Sequence, residues 1–283
     1  MPELPEVETV KRRLAEVLAG KTIRQIKVLK DKSFQGEVED VLGAKIISVQ
    51  RKAKLIRLQL DNELNLLVHL KMTGQLIYQD EEQKIGGGHP TADWVANLPG
   101  KHTRIIFYFR EDGAKLFFND MRIFGWIKVL TDEEINEEYD KYGPDVIDAE
   151  FTPDYLKEKV KNRRIAIKQA IMINKIVGGV GNIYACEALF LARIDPRRPS
   201  NSLKDDEYEI LVEKLKQVIA EGIAHNGTTF DGKYVGVDGL AGSYQKKLKV
   251  YGQKGEACPE CGGKVKKIKV GGRGTYFCEE CQR

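Results

Sequence analysis

Met1-Pro2-Glu3-Leu4-Pro5-Glu6-Val7-Glu8-Thr9 opens the chain, and the reading of this stretch decides the rest. Val7, Val10, Leu14, Val17 and Leu18 fall on one face at helical spacing, and Gly20 can end the helix. Prolines at its head and acids in its first turn suit a helix N-terminus. The same residues have a chemical reading. A small residue after Met1 favours removal of that methionine, which would leave Pro2 with a free secondary α-amine. Such an amine titrates near ~8, so a useful fraction is unprotonated at neutral pH. Amines of this kind attack carbonyl carbons and form Schiff bases. Glu3 and Glu6 add carboxylates that could move protons.

Beyond the helix the pattern changes to short β-rich runs. They include Thr22–Leu29, Lys45–Val49, Leu55–Leu60, Leu64–Leu70, Arg104–Phe109, Lys115–Phe118 and Trp126–Leu130, with turn residues such as Asp61-Asn62 and Asp112-Gly113 between several of them. Many short strands of this kind predict an antiparallel sandwich. The polar, glycine-rich stretch Asp80–Gly100 reads as a surface loop. After Thr131 the pattern is helical, at Asp132–Tyr142, Pro153–Lys161, Ile165–Ile173, Asn182–Ala192 and Leu203–Ala224. Thr228–Ser243 is glycine-rich again, and the chain closes on a small cysteine module. The expected class is α+β, with domains at 1–131, 132–245 and 246–283.

A chain of 283 residues is long enough for more than one core. No signal peptide or membrane-spanning apolar run is evident, which points to the cytoplasm. A net charge of +4 is compatible with DNA binding without arguing for it, because a local basic surface matters more than the sum.

Four of the five cysteines form two Cys-x-x-Cys pairs, Cys258/Cys261 and Cys278/Cys281, sixteen residues apart. Four thiolates at this spacing suit one tetrahedral structural zinc, with no position left open for catalysis. The fifth, Cys186, lies in an apolar helical pattern and reads as a small buried residue. Lys264–Val270 and Gly274–Phe277 can form a basic hairpin turning at Gly271-Gly272, which sets Arg273 at the turn and suits a phosphate. Gly178-Gly179-Val180-Gly181 before the helix at Asn182 is either an ordinary turn or a place where backbone N–H groups meet an anion. Arg51-Lys52-Ala53-Lys54 would by itself be a solvated basic run, Met72 and Phe124 would be core, and lone histidines are more often structural.

The opening Pro2–Thr9, with the blocks Gln50–Lys54, His69–Gly74, Asp120–Gly125, Gly178–Ala185 and Cys258–Gln282, resembles the formamidopyrimidine-DNA glycosylases, bacterial base-excision repair enzymes for 8-oxoguanine. The resemblance covers nearly the whole chain. It implies an N-terminal β-sandwich flanked by helices, a helix–two-turn–helix module and a zinc-finger hairpin, acting as a monomer on double-stranded DNA. It implies that Pro2 attacks C1′ of a damaged nucleotide, that Glu3 does acid/base work at the sugar, and that Glu6 supports the site. Lys54 is then assigned to phosphate contact and proton transfer, and Arg273 to holding DNA and eliminating the second phosphate. Met72, Arg122 and Phe124 would fill the gap left by an extruded base, with Arg122 bonding the orphan cytosine. His69, His102, Arg164, Lys168 and Asn182 would contact the DNA backbone. The Thr228–Ser243 loop would close over the base in a pocket between two domains. Ile173 departs from the family, where many relatives carry an acid. Two rivals remain: an endonuclease VIII-like enzyme for oxidised pyrimidines, and a non-catalytic zinc DNA-binding protein with no use for a free Pro2.

Overall fold

The structure, a computed structural model, describes residues 1–88, 97–228 and 242–283. It is mixed α+β and divides into two compact units. The first comprises Met1–Tyr139 and His225–Ser243, and the second Asp140–Ala224 and Tyr244–Arg283.

The first unit begins with α1 (Leu4–Leu18) and continues through β1 (Ile23–Val28), β2 (Phe34–Gln35), β3 (Ile46–Lys52), β4 (Leu55–Leu60) and β5 (Leu64–His69). Then come β6 (Gly74–Gln79), β7 (Lys84–Gly88), β8 (Thr103–Phe109), β9 (Lys115–Asp120), β10 (Trp126–Thr131) and α2 (Asp132–Tyr139). One sheet runs β1-β8-β9-β6-β7 and the other β2-β10-β5-β4-β3. The pairing is antiparallel except for β2, which lies parallel to β10 through Phe34 and Gln35. Alternation sorts the strands: Ile105, Phe107 and Phe109 of β8 and Leu116 and Phe118 of β9 enter one core. They share it with Ile56, Leu58, Leu66 and Val68 of the other sheet. Val7, Val10, Leu14 and Leu18 of α1 complete that core, so the helix is bound through the stripe that its periodicity marks.

The glycine-rich stretch from Asp80 is not all loop, since Lys84–Gly88 forms β7 at a sheet edge. Its glycines are used for close approach. A Cβ on Gly87 would stand 2.4 Å from Cγ2 of Val10, and Arg13 of α1 donates to the carbonyl of Gly86 at 3.2 Å. The helix therefore lies directly on the backbone of this strand.

In the second unit α3 (Pro153–Val160) is capped by the Thr152 hydroxyl, which accepts from the N–H of Tyr155 at 3.1 Å. The expected helix over Ile165–Ile173 is a single turn, α4 (Ile167–Ala170). α5 (Asn182–Leu191) and α6 (Asp205–Ala224) follow, then the hairpin of β11 (Lys266–Val270) and β12 (Arg273–Phe277). No helix among the described residues is long and apolar enough to cross a membrane.

Candidate nucleic-acid interface

Pro2 and Glu3 are buried at the head of α1. Glu6 holds this end together. Its carboxylate accepts from the N–H of Glu3 at 2.8 Å, and from the N–H and hydroxyl of Thr228 at 2.8 and 3.0 Å. Gly227 is bare for a reason: it has φ +78°, and a Cβ there would meet Oε1 of Glu6 at 2.7 Å. Glu8 accepts from Arg12 and Arg51 at 2.8 and 2.7 Å. Burial pushes the Glu8 carboxyl up, but the two guanidinium groups outweigh it and hold it below the usual range. Arg51 also donates to the carbonyl of Ala53 at 3.1 Å, which brings the first turns of α1 beside the β3–β4 turn. The loop expected over Thr228–Ser243 falls largely on residues 229–241, outside the described residues.

Lys54 sits in that turn. Lys52 pairs with Leu55, so Ala53 and Lys54 alone reverse the chain, with Ala53 at φ +51°. Leu55 pairs with His69, and His69 with Trp126, so one end of this sheet carries Lys54 and the histidine together. Burial, helped by the ammonium groups of Lys71 and Lys54, pushes the His69 ring down to about 3. The N–H of Lys71 donates to its Nδ1 at 3.1 Å. The neutral ring therefore carries its proton on Nε2 and can donate to an anion without being charged.

A depressed histidine has a stability consequence. The unfolded chain takes up the proton near 6.5, while the folded ring stays neutral down to about 3, so this contribution falls as pH drops through that window. Between about pH 7.5 and pH 5 the loss should be on the order of 2 kcal/mol, and His69→Gln should remove it. Urea unfolding of both proteins at the two pH values checks this. An identical pH dependence in the two would contradict it.

Met72 lies in the connection from β5 to β6, and Arg122 and Phe124 in that from β9 to β10. Both connections cross from one sheet to the other at the same end of the sandwich, as Gly74 pairs with Asp120 and His69 with Trp126. The core reading of the apolar pair fails here: Met72 is 36% and Phe124 48% exposed. The Arg122 guanidinium stands 4.7 Å from the Phe124 ring centre. His102 is half-buried at the same end, its carbonyl accepting from the N–H of Asp120 at 2.8 Å. Burial first, then Lys101 and Arg104, lower its pKa.

In the second unit Asn182 takes the first position of α5. Its Oδ1 accepts from Lys168 Nζ at 2.5 Å and its Nδ2 donates to the carbonyl of Gly274 at 3.0 Å. Lys168 is 1% exposed, and its ammonium also donates to the Thr275 hydroxyl at 2.7 Å. Lys168 thus ties the glycine turn and α5 to the hairpin. Val270 pairs with Arg273 across Gly271-Gly272, both at positive φ (57° and 74°), which is the two-residue turn expected. A cavity of about 410 Å³ is lined by Arg163, Lys168, Gln169, Ile173, Gly271 and Arg273 among others. Arg164 is exposed on the adjoining turn. Arg163 is a basic residue of the cavity lining that sequence reading missed; the pair of adjacent arginines does not say which one lines it.

The Sγ atoms of Cys258, Cys261, Cys278 and Cys281 all lie within 4.8 Å of one another, and none is in a disulfide. Zinc–sulfur bonds of about 2.3 Å in a tetrahedron place the sulfurs about 3.8 Å apart. Cys258–Cys281 at 3.8 Å and Cys261–Cys278 at 3.5 Å match that spacing. The N–H of Gly263 points at Cys261 Sγ at 3.4 Å, as suits a thiolate. Gln282 fastens the cluster, accepting from the N–H of Cys278 and donating to the carbonyl of Ile194, each at 2.9 Å.

Comparison with known proteins adds independent weight. Residues 1–127 match the formamidopyrimidine-DNA glycosylase N-terminal domain, 142–233 its H2TH domain, and 255–283 the zinc finger found in FPG and IleRS. Formamidopyrimidine-DNA glycosylases of Desulforamulus reducens and Listeria innocua are 38% and 39% identical, with all of this chain and 99% and 100% of theirs aligned. Among solved structures, a Lactococcus lactis FPG variant in complex with Fapy-dG-containing DNA superposes with a TM-score of 0.88 at 29% identity. The complex of the Lactococcus lactis protein with abasic-site DNA gives 0.87 at 28%. All of this chain is covered in the first and 99% in the second. Likeness of this extent, in sequence and in fold at once, makes the chain a member of the formamidopyrimidine-DNA glycosylase family.

Proposed function

We propose that the protein is a bifunctional DNA glycosylase and abasic-site lyase that removes oxidised purines from duplex DNA. The observation that carries this reading is the composition of one end of the sandwich. Glu8 in the early turns of α1 is joined through Arg51 to the turn holding Lys54, and the same end presents Met72, Arg122 and Phe124. A binding module would need the basic groups but not a buried proline at position 2 followed by carboxylates at Glu3 and Glu6.

With Met1 removed, the Pro2 nitrogen attacks C1′ of the damaged nucleotide. The C1′–N bond breaks, and its electron pair leaves with the base, which takes up a proton. Glu3 supplies acid/base work at the sugar as the ring opens to a C1′ iminium. The iminium acidifies the proton on C2′. Its loss expels the 3′ phosphate, and a second elimination expels the 5′ phosphate. Lys54 neutralises phosphate charge and moves protons in the first elimination. Arg273 does so for the second. Asn182 and the hairpin turn hold the backbone. Four thiolates of the C-terminal module would hold one zinc, which supplies folding energy there and no step of the reaction.

The wedge assignment makes a stability prediction. Met72→Ala and Phe124→Ala should each cost no more than about 0.5 kcal/mol of folding free energy, the usual range for a surface site. Phe118→Ala, fully buried in the sandwich core, should cost on the order of 3 kcal/mol or more. Excision from duplex DNA should fall far more than stability in the first two. A large drop in melting temperature for either would return it to the core.

A strand-nicking assay tests the function itself. It uses three duplexes, containing 8-oxoguanine, an oxidised pyrimidine or a preformed abasic site. Cutting of the first and third above the second supports the reading. Preference for the oxidised pyrimidine would favour the endonuclease VIII-like alternative. That alternative has an observation behind it, since the wild-type Lactococcus lactis protein, at 29% identity, has been solved with oxidized-pyrimidine DNA. Binding without any cutting would leave the zinc DNA-binding module.

A further inference from the structure

We propose that Asp120 is a positioning residue for duplex opening, its buried carboxylate holding the two wedge-bearing connections in register. The inference rests on the reading of Met72, Arg122 and Phe124 as the wedge.

Asp120 is 0% exposed and ends β9, immediately before the connection that carries Arg122 and Phe124. Its Oδ2 accepts from the N–H of Phe124 and of Gly125, both at 2.7 Å. Its Oδ1 accepts from the N–H of Arg122 at 3.1 Å and from the hydroxyl of Thr73. Thr73 belongs to the other connection, next to Met72, and is buried at 4% exposure. The N–H of Arg122 also reaches the Thr73 hydroxyl at 3.1 Å. One carboxylate therefore binds both connections, and every bond it makes is to a group adjacent to or within the wedge.

The local backbone shows what those bonds hold. Ile123, between Arg122 and Phe124, has φ +56°. A β-branched residue in the left-handed region is strained and persists only when its surroundings fix it. Asp120 fixes the N–H on each side of it. Gly125 completes the arrangement, because a Cβ there would stand 2.8 Å from the Phe118 ring and 3.2 Å from Oδ2. A side chain there would press on the Phe118 ring and on the carboxylate itself. An exposed wedge has little packing of its own, and a side chain displaced by about 1 Å from its productive position can lose on the order of a hundredfold in rate. The hydrogen bonds to Asp120 supply the rigidity that packing does not.

The test compares two substrates in single-turnover assays. One is a duplex with 8-oxoguanine opposite cytosine, where a base must be unstacked. The other is the same duplex with a preformed abasic site, where there is none. Asp120→Asn keeps the shape but replaces one accepting oxygen with a donor. It should lower lesion excision by about thirtyfold, and by several-fold more than abasic-site cutting, as expected for losing bonds to a charged acceptor. Thr73→Val cuts the link between the connections and leaves Asp120 in place, with an expected loss of about tenfold on the lesion. Thr73→Ser restores the hydroxyl and should return most of that loss. Thr73→Val decides the matter where Asp120→Asn does not fold. Lesion excision within about twofold of wild type in Thr73→Val, or equal losses on both substrates, overturns the proposal. Phe124→Ala run alongside separates the causes: if it is impaired while Asp120→Asn and Thr73→Val are not, positioning alone is wrong. If Phe124→Ala excises normally, the wedge reading falls and this inference with it.

Discussion

Borohydride added to damaged duplex and a chain beginning at Pro2 traps a covalent complex, and the same chain with Met1 attached gives none. Excision by the Met1-bearing form should fall by on the order of a thousandfold or more, the scale seen when a nucleophile is removed. With Met1 in place the Pro2 nitrogen is an amide, whose lone pair is delocalised into the carbonyl and is neither basic nor nucleophilic. The surrounding fold would be intact in that form. Glu3 and Glu6 would still be joined, and Glu6 would still hold Thr228. Binding to damaged DNA should therefore survive while chemistry is lost. Glu3→Gln should divide the reaction differently. Lesion excision should drop by ~10²–10⁴, the usual worth of a general acid or base, while a preformed abasic site is still cut. The abasic sugar already presents its aldehyde, so the amine needs no help in expelling a base. Mass spectrometry of the trapped complex locates the adduct. An adduct on Lys54, with Pro2 unmodified, would sink the mechanism.

Zinc removal should produce the other large effect. Four thiols within 4.8 Å of one another repel as thiolates unless a cation lies among them, so chelation should release the module. Structural zinc contributes roughly 10–16 kcal/mol of apparent binding energy in small zinc-finger peptides, more than a short hairpin can replace. The expected result is loss of ordered structure over Lys266–Phe277 and displacement of Arg273. DNA affinity should weaken by on the order of a hundredfold, with a shallower salt dependence because fewer phosphates are neutralised. The melting transition of the sandwich should stay, because its core is a separate cluster from the one joining Cys258 and Cys278 to Phe190 and Val250. Metal analysis finding no zinc in fully active protein would contradict all of this.

Much of the fold is legible in the residues. The stripe of Val7, Val10, Leu14 and Leu18 marks the buried face of α1, and Gly271-Gly272 marks the hairpin turn, because each signal is local. β7 is not legible. Gly86, Gly87 and Gly88 look like a loop until Val10 is seen lying on Gly87 and Arg13 bonding Gly86, and those contacts join positions far apart in sequence. The single-turn α4 is likewise not legible, since Ile165–Ile173 has helical periodicity but only Ile167–Ala170 is helical. Among the candidate site residues, identity is legible and environment is not. A lysine at 168 suggests a surface cation, and in the fold it is buried with partners on α5 and the hairpin. Nothing in the sequence singles out the aspartate at 120, and its donors are revealed only when Thr73 is brought against it from a different strand connection.

The bond between Glu6 and Thr228 spans 222 positions of sequence. A ribosome adding roughly 5–20 residues per second needs about 10–40 s to travel that distance. For all of that interval the amino-terminal turn has been made but its clamp has not. Once Thr228 arrives, it donates to Glu6, whose other oxygen accepts from the N–H of Glu3 beside Pro2. The support around the proposed nucleophile is therefore completed only late in synthesis.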